Sequence, residues 1–178
     1  MRSILSAIVV TFALAPCVRA DDFKLEDGFS LLISKDLTGW KTEKGDSLDG
    51  KSEAFTSRFT LKDGVLHIDP KVKGDVKIFT TKEFDKDVQI KLDFLPDAKC
   101  NNDLFLRGIK FDLSAGNVKD WKVGEWNSLE IILKGDKAEF KLNDKAVKTI
   151  ATKGKATGFG IRAEFGEMKV RRLRVKEG

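Results

Sequence analysis

The chain has 178 residues and a formal charge of +5, which bounds it to one ordinary domain long enough to bury a real core. Its 33 Lys and Arg are interspersed among 28 Asp and Glu, the pattern of a solvated surface, and this argues against nucleic acid as a partner. The lone histidine rules out a multi-histidine zinc centre, and no metal site is expected.

Met1-Arg2 and the apolar run Ile4 to Ala15 have the length and flanks of an export signal, too short for a spanning helix. Val18-Arg19-Ala20 places small residues where a signal peptidase reads them, so cleavage is expected before Asp21. Residues 1–20 are thus read as a signal peptide and residues 21–178 as a single exported domain, periplasmic or extracellular, without stable membrane insertion. Cys17, after Leu14-Ala15-Pro16, loosely resembles a lipobox, with proline a poor fit at its place. The exported part keeps only Cys100, so packing and not a disulfide must hold it together. Cys100 itself reads as a small apolar residue.

Gly28 to Ile33 contains a first strand, and Lys35 to Trp40 a turn ending on a large aromatic. Lys41 to Ser57 is a long polar loop; its Asp46, Asp49 and Glu53 lack calcium-loop spacing and read as solvated charge. Arg58 to Leu61 and Val65 to Asp69 flank Lys62-Asp63-Gly64, whose Asp-Gly is a hairpin signal. Val76 to Thr81 is β-branched and aromatic. Asp87 to Leu95 alternates, with Val88, Ile90, Leu92 and Phe94 on one face, until Pro96 ends it.

Asp103 to Leu113 reads as one strand, with Gly108 marking a bulge. Trp126 to Leu133 is another. Ala138 to Leu142 and Ala146 to Ile150 flank a turn at Asn143-Asp144-Lys145, and Phe159 to Phe165 and Met168 to Lys176 form a last pair turning at Gly166-Glu167. Met168, Val170, Leu173 and Val175 space the basic tail like buried strand positions with one irregular step, leaving its arginines on an outer face. About ten short strands, with no helical period, predict an all-β sandwich. Thirteen Phe and no Tyr place the aromatics mainly in its interlayer.

Several segments, in order, resemble those of a secreted bacterial family. Gly28-Phe29-Ser30-Leu31-Leu32 with Leu37-Thr38-Gly39-Trp40 is similar to its opening "GF..LF....L.GW". Asp63-Gly64-Val65-Leu66, Phe79-Thr80-Thr81, Asn101 to Arg107, Gly124-Glu125-Trp126-Asn127, Leu142-Asn143 and Val170 to Val175 resemble later pieces. The family is the 3-keto-disaccharide hydrolase domain, also described as a 3-keto-glucoside lyase and 3-keto-2-hydroxy-glucal hydratase. The resemblance implies a concanavalin A-like jelly roll that acts on a sugar or oxidised disaccharide outside the cytoplasm. Lys110-Phe111-Asp112 stands where longer members carry "E.Q..D", and the "GA.Y" piece is missing.

Such a reaction needs a base for the hydrogen on C2, positive charge near the C3 oxygen and a proton donor for the leaving group. No cofactor is obligatory, although a metal could polarise the ketone. In the stretch Leu104 to Leu113, Arg107, Lys110 and Asp112 are charges inside an apolar strand, and such charges must be paired or face a polar cleft. Lys110 and Asp112 share one face, Arg162 and Glu164 share another, and a bulge at Gly108 would bring Arg107 to the side of Lys110. The expected cluster is Arg107, Lys110, Asp112, Arg162 and Glu164: Asp112 or Glu164 as base, Arg107 or Arg162 at the keto oxygen, Lys110 assisting. The same five residues also read as a self-neutralising salt-bridge network. Trp40 and Trp121 read either as sugar-stacking rings or as packing, Trp126 as core, and His67 as a strand histidine with a local partner. A non-catalytic carbohydrate-binding module, or an interaction domain of the cell envelope, is the alternative to the enzyme.

Overall fold

The structure, a computed structural model, describes residues 23–178. The expected signal peptide and Cys17 lie outside the described residues. The strands, in chain order, are β1 (Ser30–Leu31), β2 (Trp40–Thr42), β3 (Glu53–Ala54), β4 (Phe59–Lys62), β5 (Val65–Ile68), β6 (Val76–Phe84) and β7 (Val88–Pro96). They continue as β8 (Asn101–Leu106), β9 (Ile109–Ser114), β10 (Asn127–Lys134), β11 (Lys137–Leu142), β12 (Lys145–Ala151), β13 (Thr157–Ala163) and β14 (Met168–Glu177). No helix occurs among the described residues. Lys41 to Ser57, expected as one long loop, carries the end of β2 and the short β3, whereas Asn117 to Gly124 is a loop.

Two antiparallel sheets face each other as a sandwich. A five-stranded sheet runs β2-β6-β13-β8-β9, and a nine-stranded sheet runs β12-β11-β10-β7-β14-β5-β4-β3 with β1 on β14. Period-two alternation decides which side chains enter the interlayer. On β7, Val88, Ile90, Leu92 and Phe94 are buried while Gln89, Lys91 and Asp93 point outward. Each such burial stabilises the fold by roughly 1.5–3 kcal/mol, so a strand of this kind anchors its sheet. Phe111 of β9 stacks on Phe140 of β11, centroids 4.1 Å apart and planes 6° apart, and so joins one sheet to the other.

The β4–β5 and β11–β12 hairpins turn at the expected residues, where Asp63-Gly64 and Asn143-Asp144 take positive φ. The basic tail also has its irregular step: β14 shifts register on β7 between Arg171 and Arg174, with Arg172 at φ 52°. The bulge keeps Met168, Val170, Leu173 and Val175 buried. Its arginines meet carboxylates on the outer face: Arg171 and Arg172 with Asp93, Arg174 with Glu26.

Two expectations are overturned. Asp103 to Leu113 is a hairpin and not one bulged strand, because Arg107 and Gly108, at φ 47° and 73°, form a two-residue turn between β8 and β9. Both φ values lie in the left-handed region that suits a tight hairpin. The last two strands are not partners either: β13 pairs with β6 and β8, β14 with β5 and β7, and the chain crosses between sheets at Gly166-Glu167. β13 lacks outward alternation at Phe159 and Gly160, both buried, and this fits a strand enclosed by neighbours on either side.

Candidate functional site on the five-stranded sheet

The hairpin sets which charges meet. With a two-residue turn, Asp103 stands directly opposite Asp112, and Phe105 opposite Lys110. Leu104, Phe111, Ile161 and Ile78 point into the core, so Asp103, Asp112, Arg162 and Lys77 share the solvent face. Asp103 is nevertheless fully covered, at 0 % side-chain exposure, because Arg162 and Lys110 lie over it.

Asp103 is the hub. Its Oδ2 accepts from Arg162 Nη1 at 2.7 Å and lies 3.5 Å from Lys110 Nζ. Lys110 Nζ is also 2.5 Å from Asp112 Oδ1. Arg162 Nη1 reaches Glu164 Oε2 at 2.9 Å, while its Nε and Nη2 donate to the two oxygens of Asp75 at 2.6 and 2.5 Å. Lys110, Asp112, Arg162 and Glu164 are thus brought together as expected, with Asp103 and Asp75 added. Asp103 could have been found by counting back from a hairpin at Arg107-Gly108; Asp75 sits outside any strand and carries no local signal.

The two facing aspartates differ. Burial, then the hydrogen bond with Asp112, raises the Asp103 pKa. Its Oδ1 is buried with no donor in reach. A proton shared between the two carboxyls would satisfy this oxygen, since a protonated carboxyl can donate to its neighbour. The Asp112 pKa is lowered, first by that hydrogen bond with Asp103 and then by Lys110. The pair is therefore asymmetric: Asp103 holds a proton more readily than Asp112, and Asp112, 30 % exposed, is the open member. Asp112 in turn holds the Lys110 pKa up, and Asp75 does the same, more strongly, for Arg162.

Three expected site residues lie elsewhere. Arg107 occupies the turn: its N–H donates to Thr157 Oγ1 at 2.7 Å, its carbonyl accepts from Lys153, and no ion pair or side-chain hydrogen bond joins it to the cluster. Trp40 is wholly buried at 0 % exposure, edge-on to Phe159 at 6.5 Å, with its indole N–H donating to the Leu32 carbonyl at 2.7 Å. It cannot offer a ring face to a ligand. Trp121 is half-buried against Phe94 of the nine-stranded sheet, at 5.9 Å, away from the charged face. Trp40 points inward from the first position of β2, and Trp121 is carried inward by the loop between β9 and β10.

The remaining candidates have local roles. Trp126 lies half-buried under the Arg171 guanidinium at 4.1 Å and is not a core residue. His67 contacts Glu167 at 3.0 Å. Cys100 is buried, and burial pushes its thiol up to about 11. Asp46 and Asp49 accept hydrogen bonds from Thr42 and from the Gly39 N–H, which shape their own loop.

Beside the cluster, a cavity of about 410 Å³ opens along Arg58, Pro70, Asp75, Glu164 and Phe165. Arg58 closes its floor, with Nη2 donating to the Glu164 carbonyl at 2.9 Å and Nη1 to that of Asp69. The β13 continuation bulges here. Leu104 faces Ile161, yet Asn101, three residues back, faces Phe165, four residues on. The extra residue is Glu164, whose N–H is taken by Asn102 Oδ1 at 2.8 Å.

Two antiparallel sheets enclosing one apolar layer, with a charged open face, define a jelly-roll β-sandwich. The solved structures agree. A proposed glycosyl hydrolase from Parabacteroides distasonis superposes with TM-score 0.66 at 17% identity, over 85% of this chain and 94% of that one. The carbohydrate-binding module CBM66 of Bacillus subtilis superposes with TM-score 0.58 at 14% identity, over 82% and 99%. A B. subtilis protein of unknown function with a galectin-like fold gives TM-score 0.53 at 12% identity, over 84% and 94%. Likeness at these identities shows the fold. No family model matches the chain, and no curated protein matches it.

Proposed function

We propose that this protein handles sugars on the open face of its five-stranded sheet, and that it cleaves 3-keto-glycosides there by elimination followed by hydration. The observation that carries the reading is the accessible Asp112, paired across the hairpin with the covered Asp103 and 2.5 Å from the Lys110 ammonium, with the two carboxyl pKa values shifted apart, Asp112 down and Asp103 up. The ordered sequence resemblance to the 3-keto-disaccharide hydrolase domain and the glycosyl-hydrolase-like fold support it. The export signal expected over residues 1–20 supports an activity outside the cytoplasm.

In this mechanism Asp112 removes the acidic hydrogen on C2 of the 3-keto ring. The electron pair moves into the C2–C3 enolate, and Lys110, 49 % exposed, stabilises the charge on the C3 oxygen. Arg162 does not take that place, because its donors are already bound to Asp75, Asp103 and Glu164. Collapse of the enolate forms the C1–C2 double bond and breaks the C1–O bond. The proton now on Asp112 passes to the leaving oxygen. Asp103 touches no substrate; it is a positioning residue whose hydrogen bond lowers the pKa of its neighbour. Water then adds across the double bond.

A non-catalytic sugar-binding module is the second reading, favoured by the openness of the face and by the carboxylates that occupy Arg162. Incubating pure protein with methyl 3-keto-β-glucoside separates the two. Enone absorbance that disappears in Asp112→Asn supports the enzyme. Binding without enone or hydrolysis, with or without added divalent metal, supports the module.

A further inference from the structure

We infer that Phe79 and Phe105, on either side of Gly160, form a stacking platform for the C–H face of one pyranose ring, one register step from the charged row. The inference rests on the sugar-handling reading above and adds to it where the ring sits and what holds it.

Registry places these residues in one line across the sheet. Lys41 faces Phe79, Phe79 faces Gly160, Gly160 faces Phe105, and Phe105 faces Lys110. The neighbouring line on the same face holds Lys77, Arg162, Asp103 and Asp112, two residues along each strand and so about 6.6 Å away. The sheet thus presents an apolar strip bordered by amines at both ends and by carboxylates and a guanidinium along one side.

Glycine lets the two rings close over the strand. A Cβ on residue 160 would lie 2.4 Å from Phe79 Cε1 and 3.2 Å from Phe105 Cβ, so any side chain would lift the rings off the strand. Without one, the two rings lean over the glycine with centroids 6.1 Å apart and planes tilted by 47°, a shallow open V. Both rings are half-buried, whereas Phe59, Phe84, Phe94 and Phe159 are fully enclosed in the core.

This is the complement of a pyranose. Such a ring has an apolar face of C–H bonds and a rim of hydroxyls. The V takes the face, and Lys41 and the charged row meet the rim. Lys41 has no ion-pair partner among the described residues, so its ammonium is available to a hydroxyl. Stacking uses C–H bonds common to oxidised and unoxidised rings, so the platform binds a ring without the 3-keto group as well.

The test is binding of methyl β-glucopyranoside by saturation-transfer NMR, with irradiation of the Phe ring protons, in the parent and in Phe79→Leu and Phe105→Leu. Leucine keeps an apolar cover over Gly160 and removes the flat ring. The expected result is transfer to the sugar C–H protons and an affinity loss of about tenfold in either variant, with the melting temperature held. For the 3-keto-glucoside, KM rises and kcat stays near the parent value. If the 3-keto-glucoside is not turned over but the glucoside loses affinity in the leucine variants, the platform stands and the enzyme reading fails. If turnover occurs and both variants keep the parent KM and glucoside affinity, the enzyme reading stands and the platform is overturned. Absence of any glucoside binding to the parent also overturns it.

Discussion

Asp103 and Asp112 stand directly opposite each other on β8 and β9, the covered one with its pKa raised and the open one with its pKa lowered. This asymmetry follows from position. Asp103 lies inside the sheet between β13 and β9 and loses its water, while Asp112 lies on the edge strand beside Lys110.

A pH profile follows from the opposed shifts. Turnover is expected to rise with pH as Asp112 ionises, below the ordinary carboxylate range. It falls again at higher pH as Asp103, whose pKa is raised, loses its proton. Asp112→Asn should cut kcat by about 10²-fold or more. Asp103→Asn cannot ionise, and should keep the acid limb and lose the decline at higher pH. Enone formation followed across pH checks this, and a parent profile without two limbs counts against it.

Arg162 neutralises a cluster that would otherwise be acidic. Arg162→Met removes the charged hydrogen bonds to Asp75, Asp103 and Glu164 together, and should cost about 2 kcal/mol in urea unfolding. Arg162→Lys should recover only part of this, because one ammonium cannot reproduce the paired bonds to Asp75.

Gly108 sits at φ 73°, and a Cβ there would meet Lys153 Cβ at 3.1 Å. Gly108→Val should destabilise by about 2 kcal/mol. Arg107→Asn keeps the backbone bond to Thr157 and suits the left-handed φ of 47°, so stability should hold or rise by about 0.5 kcal/mol. Thermal melts of the two variants should therefore move apart.

Glu26 binds Arg174, whose hydrogen bond lowers its carboxyl pKa to about 2 from the model-compound value of 4.5. A depressed carboxyl stabilises the fold above its unfolded pKa, and that contribution is lost as pH falls through the folded one. With 40 % of the side chain exposed, solvent screening leaves about 1 kcal/mol. Glu26→Gln should therefore lower the melting temperature at pH 7 and converge with the parent near pH 2.

Much of the architecture was legible along the chain. Val88, Ile90, Leu92 and Phe94 declared the buried face of β7, Asp63-Gly64 and Asn143-Asp144 their hairpins, and the uneven spacing from Met168 to Val175 its bulge. These are properties of adjacent residues, since steric alternation and turn chemistry act over a few positions. So the β-sandwich, and the sharing of faces by Lys110 with Asp112 and Arg162 with Glu164, needed no coordinates. The turn at Arg107-Gly108 was not legible, because an arginine at positive φ sends no turn signal, and with it Asp103 escaped notice. The separation of β13 from β14, the inward path of Trp40 and the meeting of Asp75 with Arg162 also came only from the folded chain. Each depends on which distant strand supplies the neighbouring hydrogen bonds, and local pattern carries no record of that partner.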